Sequence, residues 1–302
     1  MDPMSDILRL LQPSSYGLRG LDAAGPWAIA FPPAPGLKCY ALQSGACWLQ
    51  CEHAAIRLEA GDLALVSGAE RFSLQTARVP AVDAIALFGA TPPGETAVVG
   101  GGGEVRGLGG FFKFAGGQAE RMLAALPPVI HLRAGSGADD LQWPITRLMR
   151  ELRSPQPGGD LIAQHLAQTL LIEALRLHLA SPDQRGVGWL YALGDPRLRP
   201  ALAALHAEPG RRWTLAMLAA VAGMSRTSFA ERFRSVVGET PIDYLTRWRM
   251  LLAADRLRQD PAPIAGIAAE FGYGSESAFG AAFKRVIGKS PVRYVQQLRQ
   301  AA

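Results

Sequence analysis

Three cysteines and a histidine lie close together in the segment KCYALQSGACWLQCEH, residues 38–53. Cys39, Cys47, Cys51 and His53 are residue types that bind metal ions, and a thiol can also act as a redox sensor. The same pattern is compatible with small apolar thiols packed inside a β-hairpin. Cysteine spacing alone leaves all three interpretations open, so the elements around the segment must decide.

The turn inside this segment sets which side chains share a face. If Ser44 and Gly45 form a two-residue hairpin turn, Cys39 points to one face and five side chains point to the other. These five are Tyr40, Leu42, Cys47, Leu49 and Cys51. Cys47 and Cys51 then lie about 13 Å apart at ~3.3 Å per residue, which is too far for a disulfide. The segment is therefore interpreted as a hairpin with packed thiols, and a thiol sensor is the alternative.

Length and composition indicate a globular protein with two domains. The chain has 302 residues, of which 49% are hydrophobic and 19% are charged, enough for two cores. No run approaches the ~18 apolar residues of a membrane span, and MDPMSDILRL lacks the basic start of a signal peptide. An odd number of cysteines without such a signal favours a reducing compartment. We therefore predict a cytoplasmic protein without membrane contact.

Basic charge is concentrated in the last third of the chain. Residues 211–302 contain 14 Lys and Arg against 7 Asp and Glu, a net charge of +7, whereas the whole chain carries +5. The first 210 residues therefore carry −2. A basic terminal domain is typical of a polyanion binder, and the alternative is that these arginines only solvate helix faces.

Hydrophobic periodicity separates a β-rich half from a helical half. CWLQC, AIRLEA, LALVSG and FSLQT are short runs separated by Gly, Pro and Asp, a spacing typical of a β-sandwich or barrel. From GADDLQWPITRLMRELR the period changes to about 3.6, and Asp139 and Asp140 are acids at a helix start. DLIAQHLAQTLLIEALRLHLA follows as a long helix that must bury two faces. It is the candidate dimer helix, with plain core packing as the alternative.

A helix-turn-helix pattern begins near residue 214. Thr214 can cap a first helix, Gly223 permits the turn, and Ser225 can cap a second helix. Phe229 and Phe233, four residues apart, predict the buried stripe of that second helix.

The pattern recurs about fifty residues later. Ser275 takes the place of the second cap, and Phe279 and Phe283 repeat the aromatic pair. The two copies span about residues 214–235 and 264–285, and LTRWRMLLAADRLRQD between them predicts one connecting helix. An internal repeat at this level of detail is a strong signal.

This doubled motif resembles the DNA-binding domain of the AraC/XylS family of transcription regulators over residues 195–302. AGMSRTSFAERFRSVVGETPIDYLTRWRM and IAAEFGYGSESAFGAAFKR follow the family pattern. The resemblance implies two recognition helices in successive major grooves of double-stranded DNA, about one turn or ~34 Å apart. A member that activates transcription would also contact RNA polymerase.

The direction of each side chain on these helices predicts its role. The residues expected to face base edges are Thr227, Ala230, Glu231, Glu276, Ser277, Ala278 and Ala281. The residues expected to contact phosphates are Ser225, Arg226, Arg234, Ser275, Lys284 and Arg285. Because the base-facing positions of the second copy are poor in long polar side chains, we expect less base discrimination there than in the first copy.

The N-terminal half resembles the cupin-type sensory domain of a subset of these regulators, through GACWL, LEAGDLALV and LPPVIHLR. Where relatives commonly carry two histidines this chain has Tyr40 and Arg71, and Gly109 replaces a frequent cysteine. Only His53 and His131 lie in the β-rich half, whereas a cupin metal site needs three or four converging ligands. Tyr40 and Arg71 are instead candidates for an effector pocket, in which Arg71 would favour an anionic effector.

The predicted fold is α+β with two domains, a cupin-like β-barrel with following helices and an all-α double helix-turn-helix domain. The predicted boundaries are 1–135 for the sensory domain, 136–194 for a helical dimerisation or linker segment, and 195–302 for the DNA-binding domain. The predicted function is a sequence-specific DNA-binding transcription regulator, not an enzyme and without metal or cofactor. We expect a homodimer controlled by an unknown small effector or a redox signal. The alternatives are a cupin-type metalloenzyme fused to a DNA-binding module and a ligand-independent DNA-binding protein.

Overall fold

The computed structural model consists of two compact units. It describes residues 2–10, 13–52, 54–68, 70–114, 123, 126–135, 141–180, 186–259 and 263–301. One unit is the β-rich segment 12–184, and the other combines residues 1–11 with residues 185–302. The predicted α+β class with two domains is therefore confirmed. His53, Asp139 and Asp140 lie outside the described residues.

Two sheets build the β-rich unit. Their strands are β1 (Pro13–Ala23), β2 (Ala28–Phe31), β3 (Leu37–Ser44), β4 (Ala46–Cys51), β5 (Ala55–Glu59), β6 (Leu63–Ser67), β7 (Phe72–Gln75), β8 (Val82–Asp83), β9 (Thr96–Val99), β10 (Val105–Phe114) and β11 (Val129–Leu132). The first sheet has the order β11-β6-β3-β10-β1-β9, and the second has the order β5-β4-β7-β2-β8. All pairs are antiparallel except β1 with β9 and β2 with β8.

The two sheets enclose one hydrophobic core instead of closing into a barrel. The core takes Tyr40 and Val66 from the first sheet and Ile29, Leu49 and Leu74 from the second. Within the described part of the chain, no strand of one sheet is hydrogen-bonded to a strand of the other. The predicted β-barrel is therefore a two-layer structure, in which face-to-face packing replaces ring closure.

The chain crosses from the first sheet to the second at Gly45. The predicted hairpin is wrong, because β3 pairs with β6 and β10 and has no free edge for β4. Gly45 has a φ of +77°, and a Cβ there would lie 2.4 Å from the Glu104 carbonyl oxygen, so this corner requires glycine. The predicted sharing of faces holds nevertheless: Cys39 is buried outside the inter-sheet core, which contains the five side chains expected together, Tyr40, Leu42, Cys47, Leu49 and Cys51.

Three helices complete the β-rich unit among the described residues, namely α2 (Ala84–Gly89), α3 (Gln142–Arg153) and α4 (Gly159–Ala180). α4 is the long helix predicted from the sequence, and it packs on α3, β1 and β11. Its buried face consists of Ala163, Leu166, Ala167, Leu170, Leu171, Ala174 and Leu175. Leu161 and Ile162 near its start are exposed. One face of α4 is therefore core, and its first turn presents apolar side chains to solvent.

The second unit is helical. It contains α1 (Pro3–Leu10), α5 (Trp189–Gly194), α6 (Arg199–Ala207), α7 (Leu215–Val221), α8 (Arg226–Val237), α9 (Pro241–Gln259), α10 (Ile264–Glu270), α11 (Glu276–Ile287) and α12 (Pro291–Ala301). The folded units differ from the predicted boundaries in two ways. α3 and α4 belong to the β-rich unit, and α1 packs on α5, α6 and α9 because its apolar Met4, Ile7 and Leu8 are buried there. None of the described helices has the length and apolar character needed to cross a bilayer.

Candidate nucleic-acid interface

The first helix-turn-helix consists of α7 and α8. The Thr214 hydroxyl accepts a hydrogen bond from the Met217 amide at 3.2 Å, and the Ser225 hydroxyl accepts one from the Ser228 amide at 3.2 Å. Both predicted helix caps are therefore confirmed. Gly223 in the turn has a φ of +62°, a conformation that glycine adopts without steric cost.

α10 and α11 repeat this geometry with one difference in the turn. The Ser275 hydroxyl accepts a hydrogen bond from the Ala278 amide at 3.2 Å, which confirms the predicted cap. Gly272 corresponds to Gly223 and Ser275 to Ser225, so the offset of the repeat increases from 49 to 50 residues within the turn. The second copy therefore has one additional turn residue. The Ser225 and Ser275 hydroxyls, predicted to contact phosphates, are engaged as helix caps.

Aromatic contacts bury the inner faces of α8 and α11 in the same way. The ring centroids of Phe229 and Phe233 are 5.7 Å apart, and Phe233 lies edge-on to Tyr244 at 5.8 Å. The corresponding distances in the second copy are both 5.6 Å, among Phe279, Phe283 and Tyr294. Because these rings hold the inner face of each helix in the core, the opposite face is turned outward.

The outward faces carry the positions predicted to contact bases. On α8, Thr227 and Glu231 are exposed and Ala230 is partly exposed. On α11 the exposed side chains are those of Glu276, Ser277, Ala278 and Ala281. Spacings of three and four residues place Thr227, Ala230 and Glu231 along one face of α8, and Ser277, Ala278 and Ala281 along one face of α11. Glu276 adjoins the α11 face in its first turn. Each predicted set thus forms a continuous surface patch.

Cationic side chains border both patches. Arg226 and Arg234 of α8 and Lys284 and Arg285 of α11 are exposed. Throughout the described ranges, none of these four residues has a carboxylate within ion-pair distance. Their charges are therefore available to a polyanion, and phosphate oxygens are the acceptors that Arg and Lys bind in nucleic acids.

An ion pair between Arg232 and Asp195, which was not predicted from the sequence, anchors α8. Arg232 donates from Nε to Asp195 Oδ2 at 2.8 Å, and a second guanidinium nitrogen lies 2.7 Å from the same oxygen. Asp195 Oδ1 accepts the amides of Arg197 and Leu198 at 2.9 and 3.2 Å. The partners are 37 residues apart in sequence, so no local pattern indicates the contact. Ala282 occupies the equivalent position in the second copy.

Arg249 fastens the connecting helix α9 to both copies. Its Nε donates to the Pro209 carbonyl oxygen at 2.6 Å, and a terminal nitrogen donates to the Arg211 carbonyl oxygen at 2.7 Å. Its guanidinium also lies 5.8 Å from the Tyr273 ring centroid in the second turn. This arginine therefore acts as a structural cation and not as one of the DNA-facing charges.

The predicted effector residues Tyr40 and Arg71 do not meet in one pocket. Tyr40 is 8% exposed and contacts Phe31 and Phe72 at ring distances of 5.1 and 5.5 Å. It lines a cavity of about 20 Å³ between the sheets, as does Trp27, whose indole nitrogen has no hydrogen-bond partner among the described residues. Arg71 is exposed, because alternation along β7 points the adjacent Phe72 into the core instead.

The cysteine cluster is buried and has the properties of core side chains. Cys39, Cys47 and Cys51 are free thiols, and Cys51 Sγ donates to the Ala54 carbonyl oxygen at 3.4 Å. Burial raises the pKa of Cys39 and of Cys47 to about 12, so both are protonated near neutral pH and poor nucleophiles. Within the described residues no three His, Cys, Asp or Glu side chains are arranged to hold a metal ion.

His131, one of the two histidines considered as metal ligands, pairs with a carboxylate. Its Nε2 lies 2.9 Å from Asp62 Oδ2, and the Ala134 and Glu59 amides donate to the same carboxylate at 2.8 and 3.0 Å. Burial pushes the pKa of Asp62 up, but these hydrogen bonds outweigh burial and hold it below its usual value. The pair lines an open pocket of about 490 Å³ together with Arg57.

Comparisons with known proteins agree with this arrangement. Residues 2–180 match the Cupin family and residues 218–297 match the Helix-turn-helix domain family. A putative AraC-like transcription regulator from Streptomyces antibioticus is 41% identical over 92% of this chain and 93% of its own length. A second one from Streptomyces lividans is 40% identical over 92% of each chain.

Among solved structures, the DNA-binding domain of AdpA in complex with a target DNA is 32% identical, covers 35% of this chain and 96% of that chain, and has a TM-score of 0.33. The two Streptomyces relatives align with nearly the whole chain, across both the cupin and the helix-turn-helix segments. The chain therefore belongs to the AraC-like transcription regulators, and its helix-turn-helix domain binds double-stranded DNA.

Proposed function

We propose that this regulator discriminates DNA sequence mainly through α8, whereas α11 contributes mainly by contacting the DNA backbone. The observation that carries the proposal is the comparison of equivalent positions on two helices with the same caps and the same aromatic core. Glu231 of α8 corresponds to Ala281 of α11, and Ala230 corresponds to Gly280. A glutamate accepts a hydrogen bond from a cytosine amino group, whereas alanine and glycine offer no hydrogen bond to a base edge.

Base contacts in this proposal come from Thr227, Ala230 and Glu231. Ala230 suits the methyl group of a thymine, because both are small and apolar. The predicted contacts of α11 come from Glu276, Ser277, Ala278 and Ala281, only one of which has a long polar side chain. At the positions equivalent to Ala230 and Glu231, α11 has Gly280 and Ala281. The middle of the second patch therefore offers no side-chain hydrogen bond to a base edge.

Phosphate contacts come from Arg226 and Arg234 beside the first patch and from Lys284 and Arg285 beside the second. Arg234 and Lys284 are equivalent in the repeat, so both copies keep a cation at this place. Such contacts fix the position of the protein on the duplex without specifying its sequence. Together the two helices give a binding site that is asymmetric in base content and continuous in backbone contact.

The experiment is binding of the full chain to a library of randomised duplexes, followed by sequencing of the bound fraction. We expect a site with two elements about one helical turn apart, of which one carries most of the information content. In the Glu231→Ala variant the preference at one base pair of that element should relax, while the other element stays unchanged. Equal information content in both elements for the wild-type chain would contradict the proposal.

We further propose that the chain forms a homodimer through α4. Leu161 is 58% exposed and Ile162 is 40% exposed in the first turn of this helix, and Trp143 of α3 is 70% exposed. Exposed apolar side chains of this size favour burial against a partner. In sedimentation experiments, Leu161→Glu should shift a dimer toward monomer, whereas the exposed polar control Thr169→Glu should not. A wild-type chain that is monomeric at micromolar concentration would rule this proposal out.

Effector control is assigned in this proposal to the inter-sheet cavity of the β-rich unit. Tyr40 and Trp27 line it with a hydroxyl and an indole N–H, which suit an apolar molecule with a hydrogen-bond acceptor. Because its volume of about 20 Å³ holds only a water-sized group, an effector would bind there by widening the space between the sheets. An activator would in addition contact RNA polymerase while bound to DNA. Thermal-shift screening of the wild-type chain and of Tyr40→Phe tests the assignment. A hit that stabilises both proteins equally would place the effector elsewhere.

A further inference from the structure

The N-terminal helix α1 is an integral part of the DNA-binding unit, although residues 12–184 separate it in sequence from the other helices of that unit. It packs on α5, α6 and α9. Met4, Ile7 and Leu8 are 7%, 2% and 4% exposed, whereas the Arg9 side chain on the opposite face is 69% exposed. A surface on the DNA-binding unit is thus covered by a segment from the other end of the chain.

A buried polar chain lies at the centre of this contact. Asp6 Oδ2 of α1 lies 3.5 Å from His206 Nδ1 of α6, and His206 Nε2 lies 2.7 Å from the Tyr244 hydroxyl of α9. Among the described residues, Asp6 Oδ2 and His206 Nδ1 are buried without a hydrogen-bond partner, whereas Asp6 Oδ1 accepts a hydrogen bond from Arg9 at 3.3 Å. A histidine that carries its hydrogen on Nδ1 faces the carboxylate with a donor and accepts the tyrosine hydroxyl on Nε2. This tautomer directs the Nδ1 hydrogen of His206 toward Asp6 Oδ2, which lies 3.5 Å away.

The contact lies against the half of α9 that belongs to the first helix-turn-helix. The His206 ring stacks on Trp248 of α9 at 4.2 Å, and Tyr244 packs edge-on against Phe233 of α8. The following half of α9 contributes to a different core, in which Met250 and Leu257 pack with the rings of the second copy. The two halves of α9 therefore pack into the cores of the two helix-turn-helix copies and connect them rigidly.

We propose that α1 is a positioning element for DNA recognition, which clamps the first half of α9 through Asp6, His206 and Tyr244 and thereby fixes the spacing between the two recognition helices. The inference rests on the proposed reading of DNA by two elements. The occupant of this surface is the chain's own residues 3–10, because the carboxylate of Asp6 and three apolar side chains match a histidine and an apolar surface. The helices on which α1 packs, α5, α6 and α9, carry none of the positions proposed to contact DNA, so its effect is on geometry.

The matched pair of full-length variants is Ile7→Asp, which places a charge in the buried face of α1, and Arg9→Lys, which changes the exposed side chain but keeps the cation that Arg9 places 3.3 Å from Asp6 Oδ1. Each is measured on the duplex selected by the wild-type chain and on duplexes with one base pair inserted or deleted between the two elements. The wild-type chain should lose about tenfold in affinity or more on either change, about 1.4 kcal/mol. Arg9→Lys should show the same loss as the wild-type chain. For Ile7→Asp, the loss of affinity on the altered duplexes should be at least about threefold smaller than for the wild-type chain, because a less rigidly held α9 tolerates the wrong spacing.

Three outcomes are informative. If Ile7→Asp weakens binding to all duplexes alike and keeps the wild-type spacing penalty, α1 has only a structural role and the inference fails. If the wild-type chain itself shows no spacing penalty, the two-element reading fails, and the inference fails with it. If Ile7→Asp does not fold, Ile7→Ala and Tyr244→Phe weaken the two ends of the contact more mildly. Both variants should show a smaller spacing penalty than the wild-type chain, and an unchanged penalty in both would contradict the inference.

Discussion

The two helix-turn-helix copies share their interior and differ on their surface. Both end the second helix at a glycine with positive φ, +87° at Gly238 and +86° at Gly288, whose amide bonds to the carbonyl oxygen four residues earlier at 2.9 Å. Both stack two phenylalanines against a tyrosine of the next helix. On the outside, Glu231 and Arg232 of the first copy are replaced by Ala281 and Ala282. The comparison indicates that the core and caps define the module, whereas its exposed residues define what the module binds.

The copies also differ in how firmly the rest of the unit holds them. Tyr244 is 2% exposed and bonded to the buried His206, whereas the equivalent Tyr294 near the C-terminus is only partly buried. The first recognition helix is tied to Asp195 through Arg232, and the second has an alanine at that position. A firmly held first copy is suited to base discrimination, because hydrogen bonds to base edges tolerate little displacement.

The largest expected effect comes from removing one phenylalanine from either core. Phe233 and Phe283 are both 0% exposed, so Phe233→Ala and Phe283→Ala should each lower the free energy of unfolding by about 3–5 kcal/mol. Denaturant unfolding measures both, with the exposed Arg226→Ala as control. Costs that differ by more than about 1 kcal/mol, beyond the scatter expected of equal burial, would break the equivalence of the two interiors.

The anchor of the first copy should contribute less. Asp195→Ala leaves two backbone amides and the Arg232 guanidinium without their acceptor, so the free energy of unfolding should fall by about 2 kcal/mol. The matched change in the second copy, Ala282→Arg, places an arginine at a partly buried position beside the second core and should lower stability by about 1 kcal/mol. If Ala282→Arg stabilises the chain as much as Asp195→Ala destabilises it, the second copy contains an acceptor that the comparison overlooks.

Acid should loosen the first copy before the second. Burial lowers the pKa of His206 to about 3, so below the ordinary value of about 6.5 the unfolded chain binds a proton that the folded chain does not. Stability is therefore fully present above about pH 6.5 and should fall by about 2 kcal/mol between pH 7 and pH 5. Thermal unfolding across this range measures the slope in the wild-type chain and in His206→Gln, which should be flatter.

Asp6 is the control for this titration. Burial raises the pKa of its carboxyl group, so a protonated Asp6 favours the folded state and opposes the effect of His206 at low pH. Asp6→Asn removes this opposing contribution, and the loss of stability on acidification should become steeper. An unchanged slope in both His206→Gln and Asp6→Asn would show that other groups control the acid response.

The smallest effects concern the DNA contacts. Arg234→Ala and Lys284→Ala should weaken binding to every duplex alike, by about 1 kcal/mol, and lower the slope of log affinity against log salt concentration by about 1. Glu231→Ala should instead leave the salt slope unchanged and alter preference at one base pair. Fluorescence anisotropy at several salt concentrations separates the two classes. A base-specific effect of Lys284→Ala would contradict the assignment of α11 to backbone contacts.

Sequence patterns predicted the elements whose stability is local. Helix caps at Thr214, Ser225 and Ser275, and the glycine in the first turn, follow from hydrogen bonds and backbone preferences within a few residues. The i, i+4 phenylalanine pairs indicate a buried helix face for the same reason. Alternation along β3 and β4 likewise placed Cys47 and Cys51 in one core and Cys39 outside it, although the hairpin that suggested this does not exist.

Strand order and the contacts between distant helices depend on which elements pack together, and no local sequence pattern indicates this. β3 and β4 lie in different sheets, because β3 already pairs with β6 and β10 and has no free edge. Arg71 was expected in a pocket, and the register of β7 turned it to solvent. Asp195 and Arg232, or Asp6 and His206, become partners only after helices distant in sequence have packed together.

The amino-acid sequence alone determined the two helix-turn-helix modules and the family resemblance, and it predicted the side chains proposed to contact DNA, since these depend on short-range periodicity and on a repeat. The tertiary structure alone decided how the modules are held. It buried the thiols of the opening cluster, Cys47 and Cys51 inside the inter-sheet core and Cys39 outside it, and desolvation keeps Cys39 and Cys47 protonated. It also placed α1 in the DNA-binding unit, because burying three apolar side chains and a carboxylate depends on a surface built by residues at the far end of the chain.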